Sequence, residues 1–326
     1  MDRAGRPHRF RPDRTDRLKR KVGGATSDSA SLPLLDSDVQ HLIQELQEEE
    51  QRRSGQRPDA VSVIRKALNA MLANRLTDAQ RDAVVAALLR FGKTVAAGET
   101  LSKDPAANKL VLKNGFAFLL GLIFDQSIDS ELAWAAPYKL RKRLGHLDPA
   151  RIAANPQAVI RAVKERPSLH RFVNQISGYV VSAAARVVQQ YGGRAEAIWE
   201  GSPGAEDLRE RFDEFRGIAQ KKAAIAVEIL ERVLRVPVVR MEGSDVGYDI
   251  HIRRVFLRTG LALYDEPGHM IAVARQLNSV RPGAIDFPAW RVGKSWCRSG
   301  VPDCPACPLR EPCPKLIDRA ASVRGA

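Results

Sequence analysis

Apolar residues recur at helical rather than alternating spacing along most of this chain. In residues 207 to 234, DLRERFDEFRGIAQKKAAIAVEILERVL, Leu208, Phe212 and Phe215 share one helical face, and Ile225, Ile229 and Val233 resume the period beyond an interruption at 216 to 219. This predicts two helices joined by a short turn containing Gly217. Val180, Val181, Ala184, Val187, Val188 and Tyr191 form a second stripe, stopped by Gly192 and Gly193. A third helix is predicted through Ile252, Val255 and Phe256, with Asp249 as its N-cap and Gly260 at its end. Upstream, TDAQRDAVVAALLRFGKTVAAG carries capping chemistry at Thr77 and Asp78, and SDVQHLIQELQEEEQRR has helical composition. No β-rich stretch or repeat breaks the pattern, so the expected fold class is all-α. The longest apolar run, 116 to 124 with one glycine, is far too short to span a bilayer.

The predicted helix pair at 207 to 234 has a chemical consequence. A short turn between helices aims the free backbone N–H groups and positive end of the second helix at whatever lies in front, and a DNA phosphate is a natural anion for it. Gly217 allows close approach of the backbone. Many proteins join two helices by a short glycine turn without binding anything there.

All four cysteines fall near the C-terminus, Cys297, Cys304, Cys307 and Cys313, spaced C-x6-C-x2-C-x5-C. That spacing marks a metal site. Two disulfides are disfavoured, because the chain is too large to need stapling and carries no secretory signal. Four thiolates suit zinc or an iron–sulfur cluster, but zinc ribbons present two C-x2-C knuckles and only Cys304 and Cys307 make one here. Pro302, Pro305, Pro308 and Pro312 pre-bend the loop.

These segments together resemble the endonuclease III group of helix-hairpin-helix DNA glycosylases. FRGIAQKKA resembles that family's LPGVGRKTA hairpin, YDIHIRRVFLRTG its VDTHIFRV segment, and the cysteine loop its C-terminal [4Fe–4S] loop. FAFLLGLIFDQSIDS, 116 to 130, is similar to a buried helix ending in the glutamine that enters the duplex when the target base leaves. The resemblance implies Lys221 as the Schiff-base lysine, Asp249 as the essential aspartate, Gln126 as the inserted glutamine, and Gly217, Ala219 and Lys222 as DNA-contacting hairpin residues. It implies Cys297, Cys304, Cys307 and Cys313 as ligands of a [4Fe–4S] cluster. Arg216, Ala219 and Lys222 stand where the family pattern has proline, glycine and threonine. Which of Lys221 and Lys222 faces the pocket is therefore open. The interval from Lys221 to Asp249 is longer than usual for the family, so LRVPVVRMEGSD, 234 to 245, is expected to add a loop beside the active site.

Taken singly, each residue has a blander reading. Lys221 is readable as a solvated helix lysine, Asp249 as an N-cap alone, Gln126 as the end of an apolar run and His251 as structural. Their order along the chain carries the argument. The implied architecture is a helical barrel domain with the helix-hairpin-helix, 107 to 242, and an iron–sulfur cluster domain, 243 to 316, with the active site in the groove between them. A basic arm at 1 to 32, expected to be disordered, and a helical extension at 33 to 106, its last helix packing on the cluster domain, precede them; a tail follows at 317 to 326.

The formal charge of +14 and the pI near 10.0 suit a polyanionic partner. Double-stranded DNA is the expected partner, without a membrane, and a monomer in the cytoplasm at the nucleoid is the expected setting. The implied activity is a DNA glycosylase with an abasic-site lyase. Two alternatives stay open: a monofunctional glycosylase in which Asp249 activates water, and an iron–sulfur DNA-binding protein that does no chemistry.

Overall fold

The computed structural model describes residues 76–96, 100–263 and 265–317. The expected basic arm, most of the helical extension and nearly all of the tail lie outside these residues. Among the described residues the chain is helical, without a named strand; one isolated parallel bridge pairs Gly204 with Val239. The described residues form twelve α-helices in order: α1 Asp78–Ala96, α2 Pro105–Lys113, α3 Gly115–Phe124, α4 Ser130–Leu144, α5 Pro149–Ala154, α6 Pro156–Lys164, α7 Val173–Gln190, α8 Ala205–Asp213, α9 Gln220–Arg232, α10 Ile250–Thr259, α11 Pro267–Leu277 and α12 Asp286–Ser295. The fold class is all-α, as expected.

Two apolar cores organise these helices. The first is gathered around α3, in which every residue from Gly115 to Phe124 is buried. A helix apolar on all faces must be surrounded by others, and α2, α4, α7, α8 and α9 supply the surround. Phe118 meets the rings of Trp134, Trp199 and Phe212 at centroid distances of 5.7, 5.7 and 6.3 Å. Gly121 is required there, because a Cβ on it would lie 2.4 Å from the Trp134 ring. The short helices α2, α5 and α6 each begin with proline behind an Asp or Asn cap, side chains that accept the first free N–H groups.

The second core is smaller. Val84 and Leu88 of α1 pack with Ile252, Val255 and Phe256 of α10, Met270 of α11, and Ala289 and Val292 of α12. Cys297, Cys307 and Cys313 sit at its edge. Thus α1, early in the chain, joins elements from the end of it. Among the described residues no single helix is long and apolar enough to cross a membrane.

Candidate active site

The hairpin joins α8 to α9 as the periodicity predicts. Phe212, Phe215 and Ile218 are buried, and Ile218 N–H closes the turn onto Phe215 O at 2.9 Å. Gly217 has φ +88°, and a Cβ on it would fall 2.3 Å from Tyr179 Cδ2. Both facts demand glycine. Ala219 is the N-cap of α9, exposed, extended, and without a side-chain capping bond. The amides of the first turn of α9 lack intrahelical acceptors, so that turn presents N–H groups outward.

The adjacent lysines of this turn have opposite fates. Lys222 is 8% exposed, and its Nζ donates to Ile123 O at 3.1 Å and Gly217 O at 2.8 Å. Burial pulls its pKa down to about 8; Lys221 adds to this and Asp125 opposes it. This departs from the expected DNA contact for Lys222: its ammonium is used inside the fold, tying the hairpin to the end of α3. The helix turns the next residue about 100° away, so Lys221 points elsewhere. Lys221 Nζ lies 3.5 Å from Asp249 Oδ2, with the lysine side chain 36% and the aspartate side chain 8% exposed.

Asp249 also caps α10. Its Oδ1 accepts His251 N–H at 2.8 Å and Ile252 N–H at 2.9 Å, which leaves Oδ2 toward the lysine. The capping and lysine-facing roles coexist in one carboxylate. Behind the pair lies buried Asp286, the first residue of α12, whose Oδ1 accepts Gly247 N–H at 2.5 Å. Burial raises its carboxyl to about 7; Asp249 and Glu228 push the same way, while the Gly247 N–H and Lys221 oppose. The ring of His251 meets Trp290 edge-on and Arg254 through Nδ1, a structural placement.

Gln126 follows the end of α3 and is half-buried. Its carbonyl accepts His170 Nε2–H at 2.9 Å, since His170 Nδ1 is taken by Phe172 N–H at 3.0 Å. Burial lowers the His170 pKa and favours this neutral tautomer. Lys222 therefore connects the Gln126 turn to the hairpin through the Ile123 carbonyl. Beyond Gln126, Lys294 of α12 reaches Ser130 Oγ at 3.2 Å and Asp129 at 3.8 Å, linking the two cores across this face.

The segment 234 to 245 runs from the end of α9 to Val246, whose carbonyl accepts the Gln220 side-chain N–H beside Lys221, and its Ser244 Oγ accepts Gly283 N–H at 3.0 Å. It packs on the N-terminal end of α8, where Ala205 N–H donates to Val239 O at 3.1 Å, Val239 N–H to Pro203 O at 3.1 Å, and Arg240 pairs with Asp207. The hairpin is at the other end of that helix.

The four cysteines are unpaired and half-buried, and line one cavity with Val255, Arg258 and Leu309. Leu309 N–H donates to Cys307 Sγ at 3.5 Å, Lys315 N–H to Cys313 Sγ at 3.4 Å, and Arg258 Nη1 to Cys297 Sγ at 3.6 Å. Burial pushes the Cys307 thiol up to about 11, with the other sulfurs adding and the Leu309 N–H opposing; Cys313 is raised chiefly by burial too. Among the described residues no three His, Cys, Asp or Glu side chains converge as one bound ion would require. Four soft donors around one cavity, with N–H groups already directed at sulfur, nevertheless fit an iron–sulfur cluster. This cavity lies at the C-terminal end of α10 and Asp249 at its N-terminal end, about 15 Å apart for a ten-residue helix.

No family model matches the sequence, and no curated protein does so significantly. Solved structures do match. A trapped endonuclease III–DNA covalent intermediate superposes with a TM-score of 0.54 at 16% identity, covering 74% of this chain and 97% of that one. A non-covalent endonuclease III–DNA complex gives 0.54 at 15% identity, with 74% and 96% covered. A thermostable thymine-DNA glycosylase gives 0.50 at 14% identity, with 73% and 97% covered. The chain has the endonuclease III fold. At these identities the likeness speaks for architecture, and the chemistry must be argued from the side chains.

Sequence reasoning passed over three residues of this site. Gln220, His170 and Asp286 are ordinary polar residues in the linear chain, and their partners are 26, 44 and 39 positions away.

Proposed function

We propose that this protein is a DNA base-excision glycosylase with an associated abasic-site lyase activity, Lys221 being the nucleophile. The observation that carries the reading is the Lys221 amine 3.5 Å from Asp249 Oδ2, on the first turn of a helix that follows a glycine hairpin. The endonuclease III structures of similar fold include one trapped covalently with DNA, which supports a DNA partner.

A base stacked in duplex DNA hides C1′, so the nucleotide must be extruded and the gap filled. Gln126, held by its backbone to His170, is the residue assigned to the gap. Gly217, Ala219 and the open amides of α9 are assigned to a phosphate. Neutral Lys221 attacks C1′; the C1′–N bond breaks, and the base leaves with the bonding electrons and takes up a proton. Asp249 stabilises the cationic sugar and accepts the amine proton. The nitrogen lone pair then breaks the C1′–O4′ bond, O4′ takes up a proton, and the opened sugar carries a protonated Schiff base. The imine acidifies C2′, and removal of a C2′ proton expels the 3′ phosphate by breaking its C–O bond.

Cys297, Cys304, Cys307 and Cys313 are assigned to a [4Fe–4S] cluster. Bound there, it would hold the C-terminal loop folded at the edge of the second core and would supply no group to the sugar.

The test is borohydride reduction of the protein on abasic duplex, followed by a panel of single-lesion duplexes. A covalent adduct mapping to Lys221 is expected. Base release without an adduct would favour water activated by Asp249. Tight duplex binding with no release across the panel would leave a non-catalytic DNA-binding protein.

A further inference from the structure

Asp249 and Lys221 come from separate elements, and a lysine with four rotatable bonds does not hold a fixed distance unaided. The backbone leading into Asp249, residues 246 to 248, lies in no helix. Three of its polar groups are nonetheless fixed. Gln220 Nε2 donates to Val246 O at 2.8 Å, and Gln220 Oε1 accepts Tyr248 N–H at 3.3 Å. One side-chain amide thus grips the backbone on both sides of Gly247, as a neighbouring strand would. The Gly247 N–H goes to Asp286. Gly247 itself is pressed onto α9, since a Cβ there would lie 2.9 Å from Lys221 O and 3.1 Å from Lys221 Cγ.

We propose that Gln220 is a positioning residue that sets the Lys221–Asp249 pair by clasping the 246–248 backbone to the turn that carries the lysine. The inference rests on the glycosylase reading of the same site. The clasp needs one donor and one acceptor on a single planar group of this length. Glutamate offers no donor, and methionine offers no donor and only a weak sulfur acceptor. Gln220 immediately precedes Lys221, and the Tyr248 amide immediately precedes Asp249, so a shift at either contact passes directly into the pair. A misplacement of about 1 Å at a reacting group can cost about 100-fold in rate.

The experiment compares the full-length cluster-loaded protein with Gln220→Met and Gln220→Glu. Single-turnover base excision at saturating enzyme, duplex affinity and melting temperature are measured on each, together with acetylation of Lys221 by acetic anhydride without DNA, read by mass spectrometry. Gln220→Met is expected to lower the saturated rate by about 10- to 100-fold. Duplex affinity should stay within about three-fold and melting within a few degrees. Gln220→Glu keeps the acceptor but sets a carboxylate against Val246 O and beside Lys221. Its rate should fall, its pH–rate profile should move to higher pH, and Lys221 acetylation should slow, because the added charge favours the protonated amine. A wild-type saturated rate in Gln220→Met overturns the proposal. So does a rate loss that only tracks lost melting temperature or affinity. If wild-type protein neither excises nor traps, the glycosylase reading fails by itself; the clasp then stands or falls on whether Gln220→Met changes Lys221 acetylation.

Discussion

The two cores hold one member each of the central pair, and they are built differently. The first surrounds a fully buried helix with the rings of Phe118, Trp134, Trp199 and Phe212. The second gathers smaller aliphatic residues from both ends of the described chain and borders the cysteine loop. The first has the apolar area to stand by hydrophobic burial, and Lys221 is rooted in it through buried Ala223, Ala226 and Val227. The second presents Asp249 on α10, whose far end lies beside the cysteine loop, where burial raises the Cys307 and Cys313 thiols. The Lys221–Asp249 geometry therefore has two supports of unequal kind: packing on the lysine side, and packing bordered by the four-thiol loop on the aspartate side.

The largest expected effect is on chemistry. Lys221→Ala should abolish borohydride trapping while Lys222→Met preserves it and instead lowers stability by about 1–3 kcal/mol through two unsatisfied carbonyls. Trapping by Lys221→Ala but not by Lys222→Met would exchange the roles assigned to the two sides of this turn. Asp249→Asn should slow base release by about 100-fold or more, measured in single turnover.

Next comes the dependence of the second core on its loop. Cys304→Ala, or removal of about four irons per chain, should unfold α10 and α12 before the first core melts. The tryptophans report this separately, because Trp134 and Trp199 belong to the first core and Trp290 packs against the second. Paired Trp→Phe variants followed by fluorescence should show two transitions in place of one; a single shared transition would mean that the cores are one cooperative unit. Stoichiometric zinc in place of iron would refute the cluster assignment.

Asp286 gives a pH-dependent difference at the seam between the cores. Its folded pKa, about 7 against an ordinary 3.8, is raised. The folded state thus binds this proton more tightly than the unfolded state, and the stability it contributes is complete below about pH 4 and lost as pH rises toward 7. Asp286→Asn removes that loss, so the variant should gain on wild type across this window, by about 4 kcal/mol at most, and stay level above it. Denaturant melts at pH 5 and pH 7.5 measure the change. A constant difference would show that the group does not titrate there.

The smallest effect probes the first core alone. Gly121→Ala must displace the Trp134 ring and should cost about 1–3 kcal/mol without altering the iron content or the Lys221–Asp249 chemistry at saturation. Calorimetry and iron analysis on one preparation decide it.

Much of this was legible before the fold was known. The period of Leu208, Phe212, Ile225 and Ile229 locates the helix pair, Asp249 and Gly260 bracket α10, and the cysteine spacing marks the loop. Such signals are readable because they are local: capping, periodicity and loop stiffness act within a few residues. Lys221 and Lys222 are indistinguishable by that reading, because both occupy the same helix turn and only the neighbour packed against each separates them. The extra length of the segment 234 to 245 is likewise visible in the chain, while its docking on α8 is not.

The sequence by itself determined the helical class, the hairpin, the cap and the thiol set, because each follows from the chemistry of residues close together in the chain. Only the tertiary structure decided that Lys222 turns inward to the Ile123 and Gly217 carbonyls, that Lys221 meets Asp249, and that Gln220 and Asp286 lie behind that pair. Burial settled the first, because an ammonium removed from water must find acceptors and two carbonyls were within reach. Docking of the 246–249 segment against the first turn of α9, with Asp286 holding its Gly247 amide, settled the rest through contacts between residues far apart in the chain that no local pattern encodes.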